Sequence, residues 1–282
     1  MFNNIFVVVV YNKFISESKT LKNILSSRVD FCKSKLIIWN NGPNGIFLVE
    51  SEINKSTFKS VELVETLNNS SLSMIYNNVI SNNESHKYIF LDDDSDLSEQ
   101  YLEHLSYVAT DQVAVPIISS SKVIVSPQID NHSLSANSVI SDYKAAMGIA
   151  SGLVVGSCVV TAMKKQYGCV FDERFYLYGV DTSFFKRLIE LKDKPSIYIL
   201  NGFEHSLSRL ESDGYTPFKV KERSYDLGLQ LRYYFPFYHS FYKCFIFSCK
   251  DVLKLILRKK RTYNFIYLCH AYLGGKHYKN IN

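Results

Sequence analysis

Three aspartates, Asp92, Asp93 and Asp94, follow directly on the apolar run "KYIFL". Adjacent carboxylates repel one another and resist burial. Water, a neighbouring cation or a bound metal must offset their charge. One reading is a solvated turn or helix cap after a strand, since carboxylates suit helix N-termini. The other is a hard-cation site, in which Mg2+ or Mn2+ takes oxygen ligands and keeps positions open for phosphate oxygens. One of Asp92 and Asp94 then binds metal while the other holds a ribose or a supporting partner.

A further carboxylate, Asp181 in "YLYGVDTSFFKRL", stands where a helical pattern opens. It suits a helix cap, and equally a general base that takes a proton from a hydroxyl. Gly179 permits close approach of a backbone or a ligand. Arg187 reads as a surface charge or a phosphate contact. His205, in "NGFEHSLSR", follows the apolar run "SIYIL" and so lies past another strand end.

These residues need a scaffold, and the apolar pattern supplies one. Strand-like runs occur at 5–11, 34–40, 60–66, 87–92 and 112–118, with helical patterns between them. In the first of these, Leu21, Ile24, Leu25 and Val29 share a face, with Ser16 or Ser18 as the cap. "SSLSMIYNNVISNN" reads as a second helix, just before the aspartates. Alternating strands and helices with continuous apolar strands predict an α/β fold with a mostly parallel, helix-covered sheet. Ligands bind such sheets at the carboxyl ends of the strands, where Tyr11, Asn12, Asn40 and the aspartates fall. The stretch 119–155 is polar and weakly periodic, then rich in small residues.

With 282 residues, 46% hydrophobic and 21% charged, the chain is an ordinary globular protein and not a disordered one. Its six cysteines form no C-x-x-C pair, which fits reduced cytosolic thiols. "MFNNIFVVVVYNK" has no basic n-region or cleavage site and reads as a buried first strand. The net charge of +5 is unevenly spread: residues 219–282 carry 13 Lys and Arg against 3 Asp and Glu. The expected division is a catalytic domain at 1–218 and a basic, aromatic helical extension at 219–282.

The ordered set "VVVVYN", "LIIWNNGP", "YIFLDDDSDL", "GIASGLVVGS", "FDERFYLYGVDTSFFKRL" and "EHSLS" resembles the family 2 glycosyltransferases, and more closely their rhamnosyltransferase-like branch of bacterial surface-polysaccharide assembly. The resemblance covers roughly residues 5–210. It implies a GT-A fold, a nucleotide-sugar donor (dTDP- or UDP-linked) and an inverting displacement onto a lipid-linked saccharide of O-antigen or capsular polysaccharide. On it, Tyr11, Asn12, Asn40, Asp92 and Asp93 line the donor nucleotide. Asp92 and Asp94, matching a D-x-D motif, hold Mg2+ or Mn2+ with His205 nearby. Asp181 is the general base, and Ser151, Gly152 and Gly179 touch donor sugar or acceptor. The sequence departs from the family where Asn40 replaces an aspartate that accepts from the base, where "NGP" replaces "NGS", and where Val180 replaces an acidic residue.

The tail carries its own expectation. Lys243, Lys250, Lys254, Arg258 and Arg261 share one face of a helix at 100° per residue, opposite Phe245, Phe247, Val252, Leu255 and Ile256. Charges interrupt it too often for a span. It reads as an in-plane helix on an anionic membrane, or as a helix packed on the body. No nucleic-acid partner is expected, because no recognition motif accompanies the charge. The resulting location is cytoplasmic, peripheral on the inner face of the cell membrane. Two other functions compete: an Mg2+-dependent phosphotransferase or phosphatase, and a glycosyltransferase-like scaffold without activity.

Overall fold

The computed structural model describes residues 1–47, 57–120, 123–130, 134–204 and 216–280. The chain divides into two units. One is Met1–Ser70, Met74–Val170 and Arg187–Ser206, and the other is Ser71–Ser73, Phe171–Lys186 and Leu207–Asn282.

The first unit is organised by its strands. These are β1 (Phe2–Val10), β2 (Ser34–Asn40), β3 (Ser60–Glu65), β4 (Ser85–Asp92), β5 (Val113–Ser120), β6 (Val123–Ser126), β7 (Gln128–Ile129), β8 (Val139–Ile140), β9 (Ala146–Met147), β10 (Leu153–Gly156) and β11 (Ile197–Glu204). The main sheet runs β3-β2-β1-β4-β10-β5-β11-β8, with β6 on β5. β1 pairs in parallel with β2 and β4, and β2 with β3. Every residue from Ile5 to Val10 is buried, as a strand covered on both faces requires. The carboxyl ends of β1 to β4 therefore share one edge of the sheet.

Two helices of this unit begin at clear capping signals. α1 (Lys19–Ser26) is capped by Ser18, whose hydroxyl accepts from the Leu21 N–H at 3.1 Å. α2 (Leu72–Asn82) precedes the aspartate strand, as its pattern predicts. α3 (Glu99–His104) follows it and is capped by Ser98. α4 (Ser157–Tyr167) comes next, and α5 (Val180–Ile189) belongs to the second unit as far as Lys186. The weakly periodic stretch 119–155 holds the largest difference from expectation. Its four-residue β10 is wholly buried and lies antiparallel between β4 and β5, in the middle of the sheet. Such a short strand leaves no period to detect.

The second unit contains α6 (Pro217–Tyr234), α7 (Phe237–Ile256) and α8 (Phe265–Gly274). Thr216 caps α6, and proline occupies its first turn, where no N–H is needed. Leu231, Cys244 and Leu268 form a small core with Phe235, Phe247 and Tyr263 against it. Tyr278 donates to Glu222 at 2.6 Å, tying the last described residues to α6.

The tail differs from its expected helix. α7 ends at Ile256, and Arg258 adopts a positive φ of 52°. Arg258 and Arg261 therefore lie beyond the helix and do not extend a basic face. Arg261 instead folds back onto the buried Asp251 carboxylate, which also accepts from the Phe265 N–H at 2.9 Å. Phe247 packs inward, whereas Phe245 and Ile256 are 62% and 70% exposed, in line with the exposed Phe237, Tyr238, Phe241 and Tyr242. The outward face of α7 is aromatic and apolar.

α6 and α8 cross closely at Gly228. A Cβ there would stand 2.5 Å from the Leu268 carbonyl oxygen and 2.7 Å from the Ala271 Cβ. Helix propensity alone favours Gly228→Ala by about 1 kcal/mol, but the obstacle is backbone. We expect Gly228→Ala to destabilise the protein by about 1–3 kcal/mol in chemical denaturation. A stabilised variant would show that the helices separate at no cost.

Candidate functional site

The aspartate run leaves β4 as a turn. β4 ends at Asp92, and Asp93 and Asp94 form the turn itself. The extended backbone stops there, so strand alternation does not set the direction of Asp94. Three hydroxyls clamp the turn's backbone, and a fourth, that of Ser95, bonds to one of them. Ser151 Oγ accepts from the Asp92 N–H at 3.0 Å and shares a 2.6 Å hydrogen bond with Ser95 Oγ. Thr20 Oγ1 donates to the Asp92 carbonyl at 2.5 Å and accepts from the Ser95 N–H at 3.0 Å. Ser18 Oγ donates to the Asp93 carbonyl at 2.9 Å. Ser18, Thr20, Ser95 and Ser151 are all buried, while the three aspartates are half-buried.

The middle carboxylate has its counter-charge within the chain. Lys13 Nζ lies 2.6 Å from Asp93 Oδ1, and the Tyr11 N–H donates to Oδ2 at 3.3 Å. Burial works against the charged ammonium of Lys13. The Asp93 hydrogen bond and the charges of Asp93, Asp94 and Glu17 outweigh it and hold its pKa above the ordinary lysine value. Asp93 thus fastens the β1 exit to the β4 exit. Asn12, with a positive φ of 53°, donates its N–H to the Gly42 carbonyl at 2.7 Å and joins that exit to the loop after β2. Tyr11 is exposed at the same edge. Tyr11, Asn12, Asn40 and Asp92–Asp94 are therefore gathered at the carboxyl ends of neighbouring strands.

Among the described residues, no group of three or more His, Cys, Asp or Glu side chains is arranged to hold a metal ion. Asp92 and Asp94 nonetheless fit a hard divalent cation. Mg2+ and its relatives are commonly held by one or two carboxylates, with substrate phosphates and water completing the shell. His205 lies outside the described residues.

The remaining expected residues are spread more widely. Ser151 is fully buried and spends its hydroxyl on the turn. The Gly152 N–H donates to the Phe90 carbonyl, and its own carbonyl accepts from Tyr101 at 3.1 Å. Both brace the sheet beside the aspartates. In the second unit, Asp181 sits in the first turn of α5 and its Oδ1 accepts from the Thr182 N–H at 2.7 Å. Gly179 has a φ of +81°, and a Cβ there would meet Asp226 Oδ1 at 2.0 Å. Its close neighbour is thus a carboxylate. Arg187 is buried, with its guanidinium over the Tyr167 ring at 4.9 Å. In the "FDER" run, Asp172 is buried and accepts from Arg174 Nε at 2.7 Å and from Tyr234 at 2.6 Å.

Several participants carried no advance signal. Lys13, Thr20 and Ser95 are ordinary residue types whose roles arise only when β1, α1 and β4 meet. Glu65 ends β3 and pairs in register with Asn40. The parallel order of runs at 34–40 and 60–66 could have suggested that pairing.

The brace makes a specific claim about Ser151. Removing its hydroxyl takes one hydrogen-bond partner from the Asp92 N–H and one from the buried Ser95 hydroxyl. Ser151→Ala is expected to cost about 1–3 kcal/mol of stability in urea denaturation. An unchanged midpoint would return Ser151 to a substrate-contact role.

No family model matches the sequence, and no curated protein does. Solved structures do match. TarS 1–349 from S. aureus superimposes with a TM-score of 0.52 at 11% identity, over 81% of this chain and 64% of that one. The same protein in complex with UDP-GlcNAc gives 0.51 at 11% identity, over 81% and 65%. The mannosyltransferase PcManGT from Pyrobaculum calidifontis, in complex with GDP-Man and Mn2+, gives 0.52 at 11% identity, over 81% and 63%. The chain spans less than two thirds of the length of each. At this identity the likeness concerns the fold, which is the GT-A arrangement of an α/β sheet shared with glycosyltransferases.

Proposed function

We propose that the protein is a nucleotide-sugar-dependent glycosyltransferase that inverts the anomeric centre. The observation that carries this reading is the clamped aspartate turn at the carboxyl edge of a GT-A sheet. A solved protein of the same fold is in complex with GDP-Man and Mn2+. Asp92 and Asp94 would hold Mg2+ or Mn2+ on the donor diphosphate, and His205 would stand nearby. A divalent cation there would neutralise charge that builds on the leaving diphosphate. Tyr11, Asn12 and Asn40 would border the nucleoside.

Asp181 is proposed as the base. The bond between the sugar C1 and the diphosphate oxygen breaks, and the acceptor hydroxyl oxygen bonds to C1 from the opposite face. Its proton passes to the Asp181 carboxylate. The reacting carbon becomes oxocarbenium-like, as in glycoside hydrolysis. The Thr182 N–H on Oδ1 fixes the direction of the carboxylate. Gly179 and Gly152 are assigned to shaping the sugar site and Ser151 to supporting it.

The acceptor is proposed to be a lipid-linked saccharide of bacterial surface polysaccharide, with rhamnose among the candidate sugars. The location that suits this acceptor is peripheral, on an anionic membrane face. Among the described residues, no helix is long and apolar enough to cross a membrane. The exposed aromatic row of α7, with Lys250 and the Lys259–Lys260 pair exposed nearby, instead suits an in-plane contact with anionic lipid.

Two measurements check these assignments. Asp181→Asn keeps the shape and removes the base, so initial-rate assays should show a drop of about 10²–10⁴-fold with donor binding retained. Turnover near the wild-type rate would place the base elsewhere. Replacing Phe241, Phe245 and Ile256 with serine should release the folded protein from phosphatidylglycerol vesicles in flotation. Retained binding would rule out this face as the contact.

A further inference from the structure

Position 40 is where the sequence departs from the expected aspartate, and the structure shows what Asn40 does instead. It is 1% exposed. Its Nδ2 donates to the Asn44 carbonyl at 2.7 Å and to Glu65 Oε1 at 2.8 Å. Its Oδ1 accepts from the Gly42 N–H at 3.0 Å. Both amide protons are spent, and the carbonyl is turned into its own loop. A buried amide committed in this way is poorly placed to read a base.

Glu65 is placed differently. It stands opposite Asn40 in the parallel register, at the carboxyl end of β3, and is exposed. Oε1 takes the Asn40 amide and the Ile46 N–H at 2.9 Å, whereas Oε2 makes no hydrogen bond among the described residues. A side chain held at one oxygen and open at the other is aimed, not merely solvated. Hydrogen bonds run without a gap from Glu65 through Asn40 and Gly42 to Asn12, at the β1 exit. The Ile46 N–H, followed by the Asn40 amide, holds the Glu65 carboxyl below the ordinary glutamate range. It is therefore ionised at neutral pH and can only accept hydrogen bonds.

We infer that Glu65 reads the nucleotide base in place of residue 40, selecting bases with a ring N–H donor. Uracil, thymine and guanine present such a donor, whereas cytosine presents a lone pair at N3. This rests on the nucleotide-sugar reading of the site. Asn40 becomes a positioning residue that orients the carboxylate.

The test is calorimetric titration of UDP, dTDP, GDP and CDP into the full chain with Mn2+, repeated for Glu65→Gln. Glutamine keeps the shape but puts an N–H2 at one of the two oxygens. UDP, dTDP or GDP should bind the wild type better than CDP by roughly 10–100-fold, the value of one hydrogen bond to a charged group. In Glu65→Gln that preference should collapse or reverse, with an unchanged melting temperature showing the fold intact. Equal affinity for UDP, GDP and CDP in the wild type would overturn the assignment of Glu65 alone. So would a preference that survives Glu65→Gln. Binding of none of the four would overturn the nucleotide reading and this inference with it.

Discussion

The mutual repulsion of three consecutive carboxylates governs the edge of the sheet where β4 ends. The chain meets it in two ways. The backbone of the turn is held by the hydroxyls of Ser18, Thr20 and Ser151, with the Ser95 hydroxyl bonded to that of Ser151. The central charge is answered by Lys13. Asp92 and Asp94 are carried on the same support, and their proposed role is that of hard oxygen donors. A turn built only for solubility would not need four buried hydroxyls, each of which must be satisfied to avoid a desolvation penalty. Rigid support under polar groups is what a site needs when it must hold a reactive geometry.

The sheet follows from the same demand. β1 is apolar at every position from Ile5 to Val10, so its register between β2 and β4 is fixed by burial on both faces. That register brings Val9 level with Asp92 and Val10 level with Asn40. The exits of the strands are thereby set side by side. Asn12 and Tyr11 can then bond to the Gly42 carbonyl and the Asp93 carboxylate across short gaps. Apolar packing within the sheet and polar contacts at its edge are one arrangement.

Much of this was legible in the sequence. The runs at 34–40 and 60–66 correspond to β2 and β3, the helix with Ser18 as cap is α1, and the α/β class follows from their alternation. β10 was not legible, because four residues between small neighbours carry no period, although the strand joins the two halves of the sheet. The tail helix was visible, but its buried face was not. Helical spacing groups the lysines and arginines, whereas Asp251 captures Arg261 through a turn that spacing cannot foresee. At the site, the residues with distinctive chemistry were visible as single letters. Their partners were not, because Thr20, Ser95 and Glu65 matter through contacts made by distant segments, and Ser151 stood out only as a sugar contact and not as a support of the turn.

The central claim is that the aspartate turn is a support for a divalent cation and a diphosphate. It is tested most directly by the affinity of the tightest-binding nucleoside diphosphate, measured in Mn2+ and again in EDTA, for the wild type and for Asp94→Ala. The account predicts binding that is at least about tenfold tighter in Mn2+, equivalent to about 1.4 kcal/mol, with the gain abolished in Asp94→Ala while the melting temperature is kept. Equal affinity in Mn2+ and EDTA, or a metal-dependent gain that survives in Asp94→Ala, would contradict it.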